Sequence, residues 1–129
     1  MENKEKILLA EDDMLIKDII QEIITDDFEL FIASNGREAL EMARKELPSI
    51  LLLDIMMPEK DGFTVCKELR ADETIDKTII VMITALADRD SREKGYKVGA
   101  DDFITKPFNP IELRSKIQLL SRMRKRLIS

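Results

Sequence analysis

Ile7-Leu8-Leu9-Ala10-Glu11-Asp12-Asp13 is the stretch on which the fold turns. Four consecutive apolar residues before an abrupt acidic stop describe a strand buried on both faces, because a half-exposed strand would alternate apolar and polar residues. From Met14 to Thr25 the period changes, and Leu15, Ile16, Ile19, Ile20, Ile23 and Ile24 recur at helical spacing. The same strand-then-helix pair then repeats. Phe28 to Ala33 reads as a second strand, Ser34-Asn35-Gly36 as a turn or cap, and Arg37 to Leu47 as a helix with Ala39, Leu40, Ala43 and Leu47 inward, ended by Pro48. Ile50-Leu51-Leu52-Leu53 is a third buried strand. The loop Asp54 to Asp61 carries Pro58, and Gly62 opens a helix through Phe63, Val65, Cys66 and Leu69. Thr78 to Ile83 is the fourth strand, followed by a helix from about Asp88 to Val98 that stops at Gly99. Phe103-Ile104-Thr105 is a short fifth strand; Asn109 caps a final helix whose first turn holds Pro110.

Five strands alternating with helices across short loops predict an α/β domain with a parallel sheet covered on both faces, since parallel neighbours require a crossover. Beyond this alternation there is no internal repeat and no low-complexity linker. Ligands in such sheets bind beyond the carboxyl ends of the strands, where the strand order switches. Glu11 and Asp12 follow the first strand, Asp54 the third, Thr84-Ala85 the fourth and Lys106-Pro107 the fifth. One pocket is therefore expected to gather three carboxylates, a hydroxyl and an ammonium.

The length, 129 residues, fits one domain. Cys66 is the only cysteine, which excludes an internal disulfide; a small buried thiol and a reducing cytoplasm are the matching expectations. The charged start, Met1 to Lys6, leads into a strand of a few residues, so neither a signal peptide nor a membrane span is expected, and the protein should be soluble. The net charge is −5, with acid bunched at 11–13, 59–61 and 101–102, while the last helix carries Arg114, Lys116, Arg122, Arg124, Lys125 and Arg126. Those cations also suit a helix carboxyl terminus, and no aromatic residues are interleaved for base stacking, so direct nucleic-acid binding is disfavoured. The chain has no histidine, which excludes a phosphohistidine donor, a histidine base and a histidine metal ligand.

Clustered carboxylates repel one another unless cations intervene. Lys106 supplies one. Magnesium supplies more charge, takes oxygen ligands and works beside phosphate, so Asp12, Asp54 and a backbone carbonyl would suffice from the protein, with Glu11 holding a coordinated water. Taken alone, the acidic triplet is simply a solvated turn that caps a helix. Asp54 follows four apolar residues and so emerges at the sheet edge in a fixed direction, as a nucleophile toward phosphorus requires. Thr84 would donate its hydroxyl and Ala85 its backbone N–H. Each of these is weak singly, and their conjunction at one end of one sheet carries the reading.

On these residues the chain resembles the receiver domain of bacterial two-component response regulators: Glu11-Asp12-Asp13, Asp54-Ile55-Met56-Met57-Pro58 with Asp61-Gly62, Thr84-Ala85, and the run Gly99 to Phe108. The resemblance covers about Lys6 to Arg122. It implies a flavodoxin-like doubly wound (βα)5 fold with strand order 2-1-3-4-5, an order the general rule for such folds already illustrates with a member of this family. It further implies Asp54 as phosphoacceptor, magnesium on Asp12, Asp54 and the Met56 carbonyl with Glu11 acting through water, and Lys106 and Thr84 on the phosphoryl group. A cis Lys106-Pro107 bond and Phe103 as the switch aromatic follow from the same similarity; a plain core side chain would account for Phe103 nearly as well. Met56 and Leu86 fall where the family's hydrolytic water approaches, and both are bulky and apolar. A sensor histidine kinase or phosphotransfer protein is the implied donor in a phosphorelay. Output would run through the surface of the fourth helix, fifth strand and fifth helix, to a partner, a homodimer mate or an output domain.

Residues 1–129 read as one domain with a core of about 6–122. The segment 123–129 continues the apolar stripe of Leu120, Met123 and Leu127 as a helix extension or the start of a linker to an output domain. The domain would catalyse its own phosphorylation and slow dephosphorylation without being a turnover enzyme. A dehalogenase-type phosphatase would need a second acid two residues after Asp54, where Met56 stands. A dinucleotide-binding module would need Gly-x-Gly-x-x-Gly in the first turn, which is absent. A structural pseudo-receiver or dimerisation module is the remaining alternative.

Overall fold

The computed structural model describes residues 4–24, 27–75, 77–85 and 88–128. In chain order the elements are β1 (Glu5–Ala10), α1 (Met14–Ile23), β2 (Phe28–Ala33), α2 (Gly36–Glu46), β3 (Ile50–Leu53), α3 (Gly62–Arg70), β4 (Ile79–Thr84), α4 (Arg89–Val98), β5 (Asp102–Thr105) and α5 (Pro110–Ile128), with a 3-10 turn at Glu73–Ile75. All pairings are parallel and the order is β2-β1-β3-β4-β5. The parallel sheet is the one expected from the alternation of strands and helices, and its order is the flavodoxin-like doubly wound one that the family resemblance implied.

Continuous apolar strands become two cores because successive side chains point to opposite faces. Leu8, Ala10, Leu51, Leu53, Ile80, Met82 and Phe103 pack with Ala39, Leu40 and Ala43 of α2 and Val65, Cys66 and Leu69 of α3. The alternate residues Ile7, Leu9, Ile50, Leu52, Val81 and Ile83 pack with Ile20 of α1 and Leu113 and Ile117 of α5. A one-residue slip would exchange the cores, so burial fixes the register.

Side-chain caps set the helix starts. Asp13 accepts from the N–H groups of Leu15 and Ile16, Asn35 from Glu38, Asp61 from Thr64, and Asp88 from Ser91. Asn109 accepts from Ile111 and Glu112 ahead of α5, as its sequence position predicts. Gly99 closes α4 at φ 112°, the left-handed conformation that glycine adopts without steric cost.

Several boundaries differ from the sequence reading. Leu47 is not inward: it is half exposed and forms the cap of α2 at φ 48°, because Pro48 disfavours helical geometry in the residue before it. β4 runs one residue later than expected, so Thr84 ends the strand opposite Thr105 instead of following it. Thr78 stays outside the ladder and donates its hydroxyl to the Pro48 carbonyl at 2.7 Å. The expected end of α1 at Thr25 lies outside the described residues.

Cys66 is buried, as expected. Its thiol donates to the Val98 carbonyl, and burial pushes its pKa up to about 11, so it is a packing group and not a nucleophile at neutral pH. No helix among the described residues is long and apolar enough to cross a membrane.

Candidate phosphoryl and metal site

The strand order reverses direction at β1 and β3, and the register Ala10↔Leu53 sets Glu11 beside Asp54 at their carboxyl ends. The Asp54 N–H donates to the Ala10 carbonyl and the Glu11 N–H to the Ala33 carbonyl, both at 3.0 Å, so the two acids remain fixed to the sheet after the ladder ends. Glu11, Asp12 and Asp54 can each offer an oxygen with all three within 4.8 Å of one another. Glu11 and Asp54 are buried and Asp12 faces solvent. The triplet is thus divided in its work: Asp13 caps α1, while Glu11 and Asp12 turn to the cluster.

Lys106 reaches this cluster from the end of β5. Its Nζ lies 2.5 Å from Glu11 Oε1 and 3.2 Å from Asp54 Oδ2. Burial raises the Glu11 pKa, and the neighbouring Asp54 charge adds to this, so that the Lys106 ammonium only partly offsets the rise. For Lys106 burial acts to lower the pKa, but the bond to Glu11 and the charge of Asp54 outweigh it and hold the ammonium more firmly protonated. The Lys106-Pro107 peptide is cis, as the resemblance implied.

Thr84 is buried at the end of β4, and Ala85 is exposed beside it. Met56 is 65% exposed and its N–H lies 3.4 Å from Asp54 Oδ1. Phe103 is buried opposite Met82, on the face that α3 covers. Leu86, expected to flank the approach of water, lies outside the described residues.

Supporting contacts escaped the sequence reading. Gly62 opens α3 and also has a spatial role. A Cβ there would lie 2.4 Å from the Asp54 carbonyl oxygen and 2.8 Å from Ile55 Cα, so its lack of a side chain lets α3 start directly behind Asp54. Glu59 at φ 68° bends the loop between Asp54 and α3. Asp101, grouped with other acids in the sequence, accepts from the Ile80 N–H and from Arg70, whose guanidinium also holds the Gly99 and Thr78 carbonyls. It fastens β4 and α3 beneath the sheet and takes no part in the pocket. Only the Asp-Gly and Gly-Ala pairs around these residues hinted at such roles.

A doubly wound sheet with three oxygen-bearing acids and a lysine at its switch point is the arrangement that the resemblance to receiver domains implied. The comparisons agree. Residues 7–118 match the response regulator receiver domain family, and the chain belongs to it. It is 45% identical over 124 residues to a probable transcriptional regulator ycf27 of Porphyra purpurea, covering 95% of this chain and 50% of that protein. Among solved structures, the chemotaxis response regulator CheY4 of Vibrio cholerae shares 30% identity at TM-score 0.85, covering 92% of this chain and 99% of that one. A beryllofluoride-activated DrrB receiver domain shares 29% at TM-score 0.84, covering 93% and 99%. The chain spans about half the length of the curated regulator it matches. It is a response regulator receiver domain, consistent with two-component signalling, and the pseudo-receiver alternative is not favoured.

Proposed function

We propose that Asp54 accepts a phosphoryl group from a phosphohistidine of a sensor kinase or phosphotransfer protein. One Asp54 oxygen attacks phosphorus, the P–N bond breaks, and imidazole leaves with the electron pair. The observation that carries this reading is the convergence of Glu11, Asp12 and Asp54 oxygens within 4.8 Å, with Lys106 bridging Glu11 and Asp54. Receiver domains generally bind magnesium through such an acidic pocket, and the donor set here fits a hard cation. Asp12, Asp54 and the Met56 carbonyl would hold the ion, with Glu11 acting through water; the ion would offset charge on the phosphoryl oxygens. Lys106 would exchange its contact with Asp54 for a phosphoryl oxygen, and Thr84 and the Ala85 N–H would donate to others.

Phosphorylation then draws Thr84 toward Asp54 and opens space into which Phe103 turns, changing the α4-β5-α5 surface. That surface would engage a partner, a second copy or an output region. The core would span about 6–122 of the unit 1–129; α5 runs on to Ile128, so residues 123–129 would serve as a helix extension or as the start of a linker to an output domain. The lone buried thiol suits a cytoplasmic setting.

Acetyl phosphate with magnesium tests the assignment, acetate being the leaving group. Mass spectrometry should show one added phosphoryl group on wild type and none on Asp54→Ala; an undiminished mass shift in the variant would overturn it.

A further inference from the structure

Gly95 lies in the middle of α4, where glycine is costly to helix stability relative to alanine. No backbone feature demands it there, since Gly99 is the α4 glycine with positive φ. The reason is across the gap. A Cβ on Gly95 would fall 2.4 Å from Phe103 Cζ and 2.7 Å from Cε1, with Met82 Sδ at 3.1 Å. The Phe103 ring therefore lies against the bare α4 backbone, in a notch that exists only because residue 95 has no side chain. Tyr96 closes the notch: its ring meets Phe103 edge-on at a centroid distance of 5.2 Å and an interplanar angle of 66°, an arrangement favourable for aromatic pairs. Tyr96 is itself 49% exposed on α4.

We infer that Gly95 is the positioning residue of the Phe103 switch, its notch forming one of the two seats of the ring, and that Tyr96 carries the ring's position to the α4 surface. This deepens the phosphoacceptor reading and rests on it, because activation there turns Phe103 toward Thr84 and so out of the notch. The two seats compete for one ring. A side chain at position 95 removes the first seat and favours the second, and by linkage it strengthens binding of whatever favours the turned ring.

Tyr96 is the only tyrosine of the chain, so its ring gives a single tyrosine signal set by NMR. Wild type should show a Phe103–Tyr96 ring cross-peak. Gly95→Ala should lose it and lower Tm by roughly 5 °C, although alanine ordinarily stabilises a helix interior. Adding Phe103→Leu to Gly95→Ala should recover Tm, because leucine lacks the ring atoms that collide. Gly95→Ala should also bind beryllofluoride with magnesium several-fold more tightly than wild type. An unchanged cross-peak and Tm in Gly95→Ala would remove the notch; a lost cross-peak with unchanged beryllofluoride affinity would remove its part in the switch. Failure of wild type itself to bind beryllofluoride with magnesium would instead strike the phosphoacceptor reading, and the cross-peak would still decide the notch.

Discussion

Replacing Lys106 with methionine keeps most of the side chain's length and removes its charge. At an effective dielectric constant of about 20, the gross attractions at 2.5 Å to Glu11 and 3.2 Å to Asp54 are about 7 and 5 kcal/mol. The net effect is much smaller, because the substitution also abolishes the cost of burying the ammonium. What remains is Glu11, 1% exposed, and Asp54, 7% exposed, without their cation, and removal of one partner from a buried pair typically costs 3–5 kcal/mol. The Lys106 side chain is 18% exposed, so solvent softens the loss, and Glu11 can take up a proton to relieve it; about 3 kcal/mol is the expected destabilisation at pH 7. For a chain of this length that is roughly 10 °C in Tm. Magnesium should narrow the gap, because the variant's acids lose a competing cation and bind the ion more tightly. At a hundred times the dissociation constant, bound ion adds about 2.7 kcal/mol of stability. Urea unfolding at pH 7, with EDTA and with millimolar magnesium, measures both quantities. Adding Glu11→Gln to Lys106→Met should recover much of the loss, which separates charge from packing. A loss below about 1 kcal/mol in EDTA, or a gap that magnesium leaves unchanged, would refute the view that Lys106 and the metal share one cluster of acids.

Two further outcomes follow from other parts of the molecule. Met56→Asn should speed loss of phosphate from Asp54 several-fold, approaching tenfold if the added amide orients the attacking water by about 1.4 kcal/mol, and combination with Leu86→Glu should speed it further; phosphate release from purified phosphoprotein measures this, and unchanged decay in both variants would show that these positions do not gate the water. Glu5 at the other end of β1 is held below its ordinary value of 4.5: burial alone would raise it, but the Ser121 hydroxyl and the Lys125 ammonium, with Ser49, outweigh burial. Its stabilising contribution is therefore complete above pH 4.5 and disappears as the pH falls through the lowered value, so Glu5→Gln should cost roughly 1 kcal/mol at pH 7 and nothing once both forms are protonated. Urea midpoints from pH 7 to 2.5 would show this convergence, and a constant difference would exclude it.

The apolar runs 7–10 and 50–53, set in a chain of strands alternating with helical segments across short loops, made the parallel sheet legible, because strands covered on both faces carry consecutive apolar residues. The convergence of the acids and the lysine was also legible, since each follows a strand and parallel strands bring their carboxyl ends to the same edge. Leu47 and Thr84 show where sequence stops deciding: apolar character placed Leu47 inward, but the backbone before Pro48 turned it to solvent, and ladder pairing with Thr105 set the end of β4. Tertiary structure alone distinguished Glu11, buried on Lys106, from Asp12 beside it in solvent, and Asp13 as a cap, because the direction of each side chain depends on how the chain leaves the sheet. It alone gave Gly62 and Gly95 their purpose. A missing side chain has no signal of its own in a sequence; its meaning lies in what stands opposite, the Asp54 backbone in one case and the Phe103 ring in the other, and those neighbours are brought there only by folding.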